Sequence, residues 1–206
     1  QDVVKGYNTD ADPQFDEVDR WTRSLLLSQV PRVNGADIDG VVDGTYYEFQ
    51  LDINESANTP LLSLDTVELY VTRDPEITEY PFSATEASEW YDLDAGEDNW
   101  IVLNYGLAEG SGKRDLKMLV PVDTLPEGYT QCTYVPPTGD PAENGCDTYV
   151  VLYSQFGGDY DANSQAPFDE QHPNTDGFEE WGVAVTDVPT ATKAGIKYED
   201  LNANGT

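Results

Sequence analysis

A short acidic segment, residues 159–170, carries oxygen-bearing side chains at the spacing of a calcium-binding loop. Such a loop takes side-chain oxygens from positions one, three and five, a backbone carbonyl from position seven and a bidentate Glu from position twelve. Ser164 stands at position six, where a sharp turn favours glycine, and Pro167 at position nine offers no side-chain ligand. The spacing predicts a Ca²⁺ site in a loop without flanking helices, and a solvated acidic loop is the alternative. The predicted ligands are Asp159, Asp161, Asn163, Gln165 and Glu170.

A second acidic segment, DLDAGEDN at residues 92–99, has the same chemical character. Alternate side chains of an extended segment project to one side, and Gly96 permits a turn that brings the following residues back. Carboxylates crowded in this way are costly unless water or a cation surrounds them. We therefore predict calcium binding by Asp92, Asp94 and Asp98, again with a solvated surface as the alternative.

The charge balance limits the kinds of partner. Forty acidic residues face ten basic ones, for a formal net charge of -30. Such a surface repels nucleic-acid phosphates and anionic membranes, so we expect no nucleic-acid partner and no direct membrane insertion. Since most acids lack a basic partner, we expect them to be solvated or metal-bound, and we expect solvation for Asp10, Asp12 and Asp16.

Two cysteines, Cys132 and Cys146, enclose a segment rich in proline and glycine. We expect a disulfide between them, worth about 3 kcal/mol for a loop of this size, and hence an oxidising compartment. The chain begins at Gln1, as expected for a mature secreted protein whose signal peptide has been removed. Asn54 begins a glycosylation sequon, Asn54-Glu55-Ser56, directly after a strand-like segment.

Enzymatic motifs are not evident. The single histidine, His172, stands in a loop-like context, and the chain has no GxSxG, HExxH or phosphate-binding glycine loop. We predict that the protein is not an enzyme. Four Trp and thirteen Tyr leave open a sugar-stacking surface, for which Trp90, Tyr91 and Trp100 beside the second acidic segment are candidates.

The elements that must position these residues have the period of β-strands. Apolar side chains alternate in segments such as TYYEFQLDIN and LLSLDTVELYVT. Helical periodicity is nearly absent, and in residues 82–93 Ser83 or Thr85 could cap one or two short turns. We predict an all-β fold, an antiparallel β-sandwich with a jelly-roll-like arrangement of about eight strands and little helix. It occupies residues 1–188, and residues 189–206 form a linker and a truncated second domain. The predicted core is Phe49, Leu51, Leu64, Val67, Leu69, Val102, Val151, Tyr153, Phe178 and Trp181.

The blocks FQLDIN…PLLSLDTVELYV, YDLDAGEDNWIVLNYGLAEGSGKRDL and VVLYSQFG…NTDGFEEWGV resemble those of an uncharacterised family of secreted bacterial surface proteins. The resemblance spans residues 6–188 and implies an exported β-rich domain, with no activity to carry over. The tail AGIKYEDLNANGT resembles the opening of serine-aspartate-repeat B-type domains, which bind calcium at an Asp-x-Asn-x-Asn-Gly turn. That resemblance implies Asp200, Asn202 and Asn204 as ligands.

Together these features predict a secreted, extracellular, non-catalytic module of a cell-surface or matrix protein, stabilised by Ca²⁺ and structural or adhesive in role. Its expected partners are other copies of itself or other surface proteins. One alternative is a carbohydrate-binding module with polysaccharide as partner. Another is a filament or assembly subunit whose N-terminal segment adds as a strand to a neighbour.

Overall fold

The computed structural model describes residues 3–18, 21–107, 114–129, 147–158, 172–174 and 179–183. These residues form ten strands and four single 3₁₀ turns, at Leu27–Gln29, Gly35–Asp37, Tyr105–Leu107 and Val122–Thr124. The all-β prediction with little helix is confirmed. In the described ranges no helix is long and apolar enough to cross a membrane. The strands are β1 Val4–Tyr7, β2 Leu25–Leu26, β3 Arg32–Asn34, β4 Thr45–Asp52, β5 Leu61–Thr72, β6 Ser88–Asp92, β7 Ile101–Asn104, β8 Leu116–Pro121, β9 Tyr149–Phe156 and β10 Glu180–Gly182.

The strands form two antiparallel sheets. In the first sheet β5 and β9 are the central pair, β1 and β2 both pair with β9, and β6 and β7 both pair with β5. In the second sheet β4 is central. It pairs with β8 along one side, while β3 and β10 share the other side end to end. β5, the longest strand in the described ranges, therefore organises the first sheet, and β4 organises the second.

The core lies between the two sheets. Along β4 every second side chain, Tyr47, Phe49, Leu51 and Ile53, is almost fully removed from solvent, as period-two alternation requires. They meet inward side chains of β5 and β9 in two clusters. Burying each such side chain stabilises the fold by about 1.5–3 kcal/mol. From the first sheet the clusters contain Leu62, Leu64, Val67, Leu69, Val71, Val150, Leu152 and Phe156.

A second, smaller core covers the outer face of the first sheet. Tyr70 and Tyr153 of the central strands lie there, beneath the segments that follow β1 and β5. The ring of Tyr80 stacks on Tyr153 with centroids 3.9 Å apart, and the Tyr80 hydroxyl donates to the carboxylate of Glu68. Because β9 is covered on both faces, its sequence is an almost continuous apolar run rather than an alternating one.

The N-terminal strand lies in the sheet of its own chain. β1 pairs with β9 from Val4 opposite Phe156 to Tyr7 opposite Tyr153. Its outward N–H groups are satisfied by the chain that follows: Lys5 donates to Asp16 and Tyr7 to Glu17. The residues after β1 therefore cover the strand edge at which another chain would add.

Most of the predicted core is confirmed, with one correction. Val102 is wrong, since β7 pairs so that Leu103 lies opposite Leu62 and Val102 faces outward with 39% of its surface exposed. Residues 82–93 contain a short turn at Ser83, as predicted, where the N–H groups of Glu86 and Ala87 donate to the Ser83 carbonyl oxygen. Strand β6 follows this turn. Trp181 is half-buried against both clusters between the sheets, and Phe178 and the domain boundary at residue 188 lie outside the described residues.

Two leucines with opposite environments test the core assignment. Leu69 is fully buried in β5, whereas Leu107 exposes 84% of its surface. We expect Leu69→Ala to lower the free energy of unfolding by about 2–5 kcal/mol, because it leaves a cavity between the sheets. Leu107→Ala, the same chemical change on the surface, should cost less than about 0.5 kcal/mol in denaturant titration. Equal losses in both variants would contradict the assignment.

Candidate functional site

The candidate site begins at an irregularity in β5. The register of β5 against β9 shifts between Leu64 and Thr66, so Asp65 is the extra residue of a β-bulge. One carboxylate oxygen of Asp65, Oδ2, accepts the N–H of Gly158 at 2.6 Å. Gly158 is the second residue after β9, and a Cβ there would lie only 2.9 Å from the same oxygen. The bulge therefore aims a carboxylate at the chain leaving β9, where only glycine permits so close an approach.

The loop after β6 supplies further carboxylates. Asp92 ends β6, and its Oδ1 accepts the N–H of Asp94 at 2.8 Å. Asp94 Oδ1 in turn accepts the N–H of Asn99 at 2.9 Å. The Asn99 side chain donates to the carbonyl oxygens of Leu93 and Glu97. These nested turns hold the loop in one shape and fix where Asp92 and Asp94 point.

The carboxylate at the bulge and the carboxylates of the loop after β6 interact through their charges. Burial is the main cause that raises the pKa of Asp65, and the charge of Asp98 adds to it, against the lowering effect of hydrogen bonds from Gly158 and Ser63. Burial likewise raises the pKa of Asp94, opposed by the Asn99 N–H and reinforced by Asp92, Asp98 and Asp65. Asp65, Asp94 and Asp98, with the N–H of Gly158, form what we call the acidic junction.

The acidic junction is not a complete metal site by itself. In the part of the chain that the structure describes, no group of three His, Cys, Asp or Glu side chains has the geometry to hold a metal ion. What the junction brings together is one predicted ligand group, Asp92, Asp94 and Asp98, and the residue that precedes the other predicted loop. The ligands Asp159, Asp161, Asn163, Gln165 and Glu170 themselves lie outside the described residues, as do Asp200, Asn202, Asn204, Cys132 and Cys146.

Asp65 is the residue that the sequence interpretation missed. A signal for it exists in the alternation of β5, where Leu62 and Leu64 are followed by Val67, Leu69 and Val71. The step of three between Leu64 and Val67 breaks the period of two, as one inserted residue does. A break in alternation at an acidic residue therefore indicates a carboxylate held at a bulge.

The other candidate residues occupy varied surroundings. Asn54 of the sequon is half-buried, and its N–H donates to Glu179 at 2.9 Å. Trp90 lies in the core, with its ring edge-on to Tyr47 and its indole N–H donating to Thr124, so it is not available for sugar stacking. Tyr91 exposes 36% of its surface and Trp100 is half-buried.

Comparison with known proteins gives no relative. No protein family, no curated protein and no solved structure matches the chain. The resemblances to secreted surface proteins and to serine-aspartate-repeat B-type domains therefore stay predictions.

The junction can be tested without a metal. In chelator, Asp65→Asn should move the pKa of Asp94 down toward its ordinary value, because one repelling charge is removed. A raised carboxyl pKa means that stability is lost as pH rises through the titration, so the variant should lose less stability than the wild type. Carbon-13 NMR of the Asp94 carboxyl group measures the shift, and Asp123→Asn, on an exposed turn, is the control. An unchanged Asp94 titration in Asp65→Asn would show that the two carboxylates do not interact.

Proposed function

We propose that this chain is an extracellular, non-catalytic structural or adhesive module that calcium stabilises. One observation carries the calcium part. The N–H of Gly158 is bonded to Asp65, so the segment 159–170 starts beside a carboxylate that interacts with Asp98 and, through Asp94, with the loop after β6. The segment with the calcium-loop spacing thus begins beside the acidic loop that is also predicted to bind calcium.

Charge explains why a cation belongs there. The carboxylates of the acidic junction repel one another, and burial weakens the solvation that would otherwise offset the repulsion. Ca²⁺ takes six to eight oxygen ligands from carboxylates, carbonyls and water in flexible geometry. Mg²⁺ requires near-ideal octahedral coordination and releases its water reluctantly, so it is the poorer fit for a site assembled from two loops.

An outer-surface location rests on independent features of the sequence. The proposed disulfide between Cys132 and Cys146 requires an oxidising compartment. A net charge of -30 keeps copies apart in dilute salt, and divalent cations or high ionic strength reduce that repulsion. We therefore propose other copies of this chain or other surface proteins as partners, brought together where calcium is available.

Carbohydrate binding is the weaker proposal. Of the three aromatic candidates Trp90 is a core residue, Tyr91 is exposed and Trp100 is half-buried, so one of the three is fully placed for contact with a sugar. An oligosaccharide array tests this proposal. If binding persists in Tyr91→Ala but is lost when calcium is removed, the sugar binds a surface other than that of Tyr91 and Trp100.

Removal of calcium is the direct test of the proposed function. A ligand that binds only the folded state adds about 2.7 kcal/mol at a hundredfold excess over Kd, which for a chain of this length raises Tm by roughly 5–10 °C. Chelator should lower Tm by that amount, Ca²⁺ should restore it and Mg²⁺ should restore it poorly. Glu170→Gln, which keeps shape but removes the bidentate charge, should abolish most of the calcium effect.

A matched glutamate controls for loss of charge alone. Glu127 is exposed on a turn that follows β8, and Glu127→Gln should keep the full calcium-dependent shift. If Glu170→Gln binds calcium with unchanged stoichiometry and affinity, the segment 159–170 is not a calcium loop. A wild-type Tm that does not respond to chelator would overturn the calcium proposal as a whole.

A further inference from the structure

A second group of carboxylates surrounds Glu179, beside the end of β4. Glu179 stands directly before β10, and its two oxygens accept from two different segments. Oε2 accepts the N–H of Asn54 after β4 at 2.9 Å, and Oε1 accepts the side-chain amide of Asn174 at 2.8 Å. One side chain therefore ties together the end of β4, the segment 172–174 and the start of β10.

Three acidic side chains act on Glu179 through their charges. The negative charges of Glu55, Asp52 in β4 and Asp115 before β8 disfavour the charged form of Glu179. Glu55 has only 4% of its surface exposed. Asp115 Oδ2 accepts the N–H of Ile53, but its Oδ1 is buried without a hydrogen-bond partner. A charge on that oxygen is poorly compensated and adds to the repulsion at Glu179.

The other titratable residues of these elements lie against partners other than Glu179. Lys117 of β8 pairs with Glu48 on the outer side of β4. Glu180, the next residue of β10, lies opposite Asp52 in the ladder with β4. His172 of the segment 172–174 uses its carbonyl oxygen to accept from Ser63 of β5. The charges named as acting on Glu179 are thus negative, and they come from three neighbouring segments.

We propose that a proton on Glu179 holds β10 against β4, so that ionisation of this one side chain loosens the strand. In the neutral form the carboxyl group still accepts a hydrogen bond through its carbonyl oxygen and removes one charge from the group of four carboxylates. In the charged form the half-buried side chain lies among like charges, and opening of β10 relieves their repulsion by exposing it to water. The device is local, because β10 is only three residues long and pairs with β4 alone in the described sheet.

The titration properties of Glu179 agree with this arrangement. Burial, then Glu55, Asp52 and Asp115, raise its pKa from 4.5 to about 8 against the effect of the Asn54 N–H. A carboxyl group whose pKa is raised in the closed state favours that state in acid. The advantage is lost as pH rises from the ordinary value toward 8 and stays lost above it.

Hydrogen exchange of the β10 amides tests the proposal. In chelator, after correction for intrinsic exchange, the opening equilibrium constant of Glu180–Gly182 should rise by up to tenfold per pH unit between pH 4.5 and about 8, then level off. The amides of Val151–Tyr153 in β9 report opening of the whole fold and should not follow this profile. Equal acceleration in β9 would mean global unfolding and would overturn the proposal.

Variants assign the effect to one side chain. Glu179→Gln cannot ionise, so its β10 exchange should be independent of pH, whereas Glu76→Gln on a distant exposed turn should keep the wild-type profile. Asp115→Asn removes one repelling charge and should move the levelling point to lower pH. A wild-type profile retained in Glu179→Gln would refute the assignment.

A measurement on the wild-type protein covers the case in which Glu179→Gln does not fold. The carbon-13 shift of the Glu179 carboxyl carbon should titrate at the pH where β10 exchange levels off. A carboxyl group that titrates near its ordinary value of 4.5 would overturn the proposal.

Discussion

The antiparallel pairing of β5 with β9 is the contact on which the rest of the structure depends. It runs from Leu64 opposite Phe156 to Thr72 opposite Tyr149, and its two faces contribute to three apolar clusters. One face meets β4 across the sandwich, and the other is covered by the aromatic segments that follow β1 and β5. Both faces of the pair are packed. Its one irregular residue, Asp65, lies at the end of the ladder, where it meets the chain leaving β9.

The acidic composition is accommodated in a way that the sequence interpretation did not include. Acids without a basic partner were expected to be solvated or metal-bound. Asp10, Asp12 and Asp16 are exposed to solvent, as expected. Many acids, solvated or not, also accept hydrogen bonds from backbone N–H groups at strand edges, bulges and turns. Carboxylates thus replace strand partners and turn caps in a chain with few cations. The side chains that do so include Asp10, Asp16, Glu17, Asp65, Asp74, Glu86, Asp92, Asp94, Asp115 and Glu179.

A feature could be predicted from the sequence where the interactions that produce it are local along the chain. Period-two alternation in β4 and β5 predicted the buried faces correctly, since burial of one face of a sheet leaves a direct pattern in the sequence. The phase of β7 was wrong because Ile101, Val102 and Leu103 are all apolar, and only pairing with Leu62 decides which faces the core. In residues 82–93 the turn at Ser83 could be predicted from local capping residues, but strand β6 could not, because its pairing with β5 is not local in sequence.

The candidate site shows the same division. The loop at residues 92–99 could be recognised from its composition, but its meeting with Asp65 depends on a bulge and on the path of β9 after Phe156. Glu179 gave no local signal, since its neighbours Asp52, Glu55 and Asp115 are distant in sequence and come together only through the pairing of β4 with β8 and β10. A sequence pattern does not show which like charges, distant along the chain, the fold brings together.

The central claim is that one cation site joins the chain leaving β9 to the loop after β6. A calcium titration followed by amide NMR tests it most directly, because Gly158 and Asn99 each donate an N–H to a carboxylate of the acidic junction. The account predicts that both amide signals shift along one binding curve with one Kd. Two curves with different Kd values, or a shift in only one of the two amides, would contradict it.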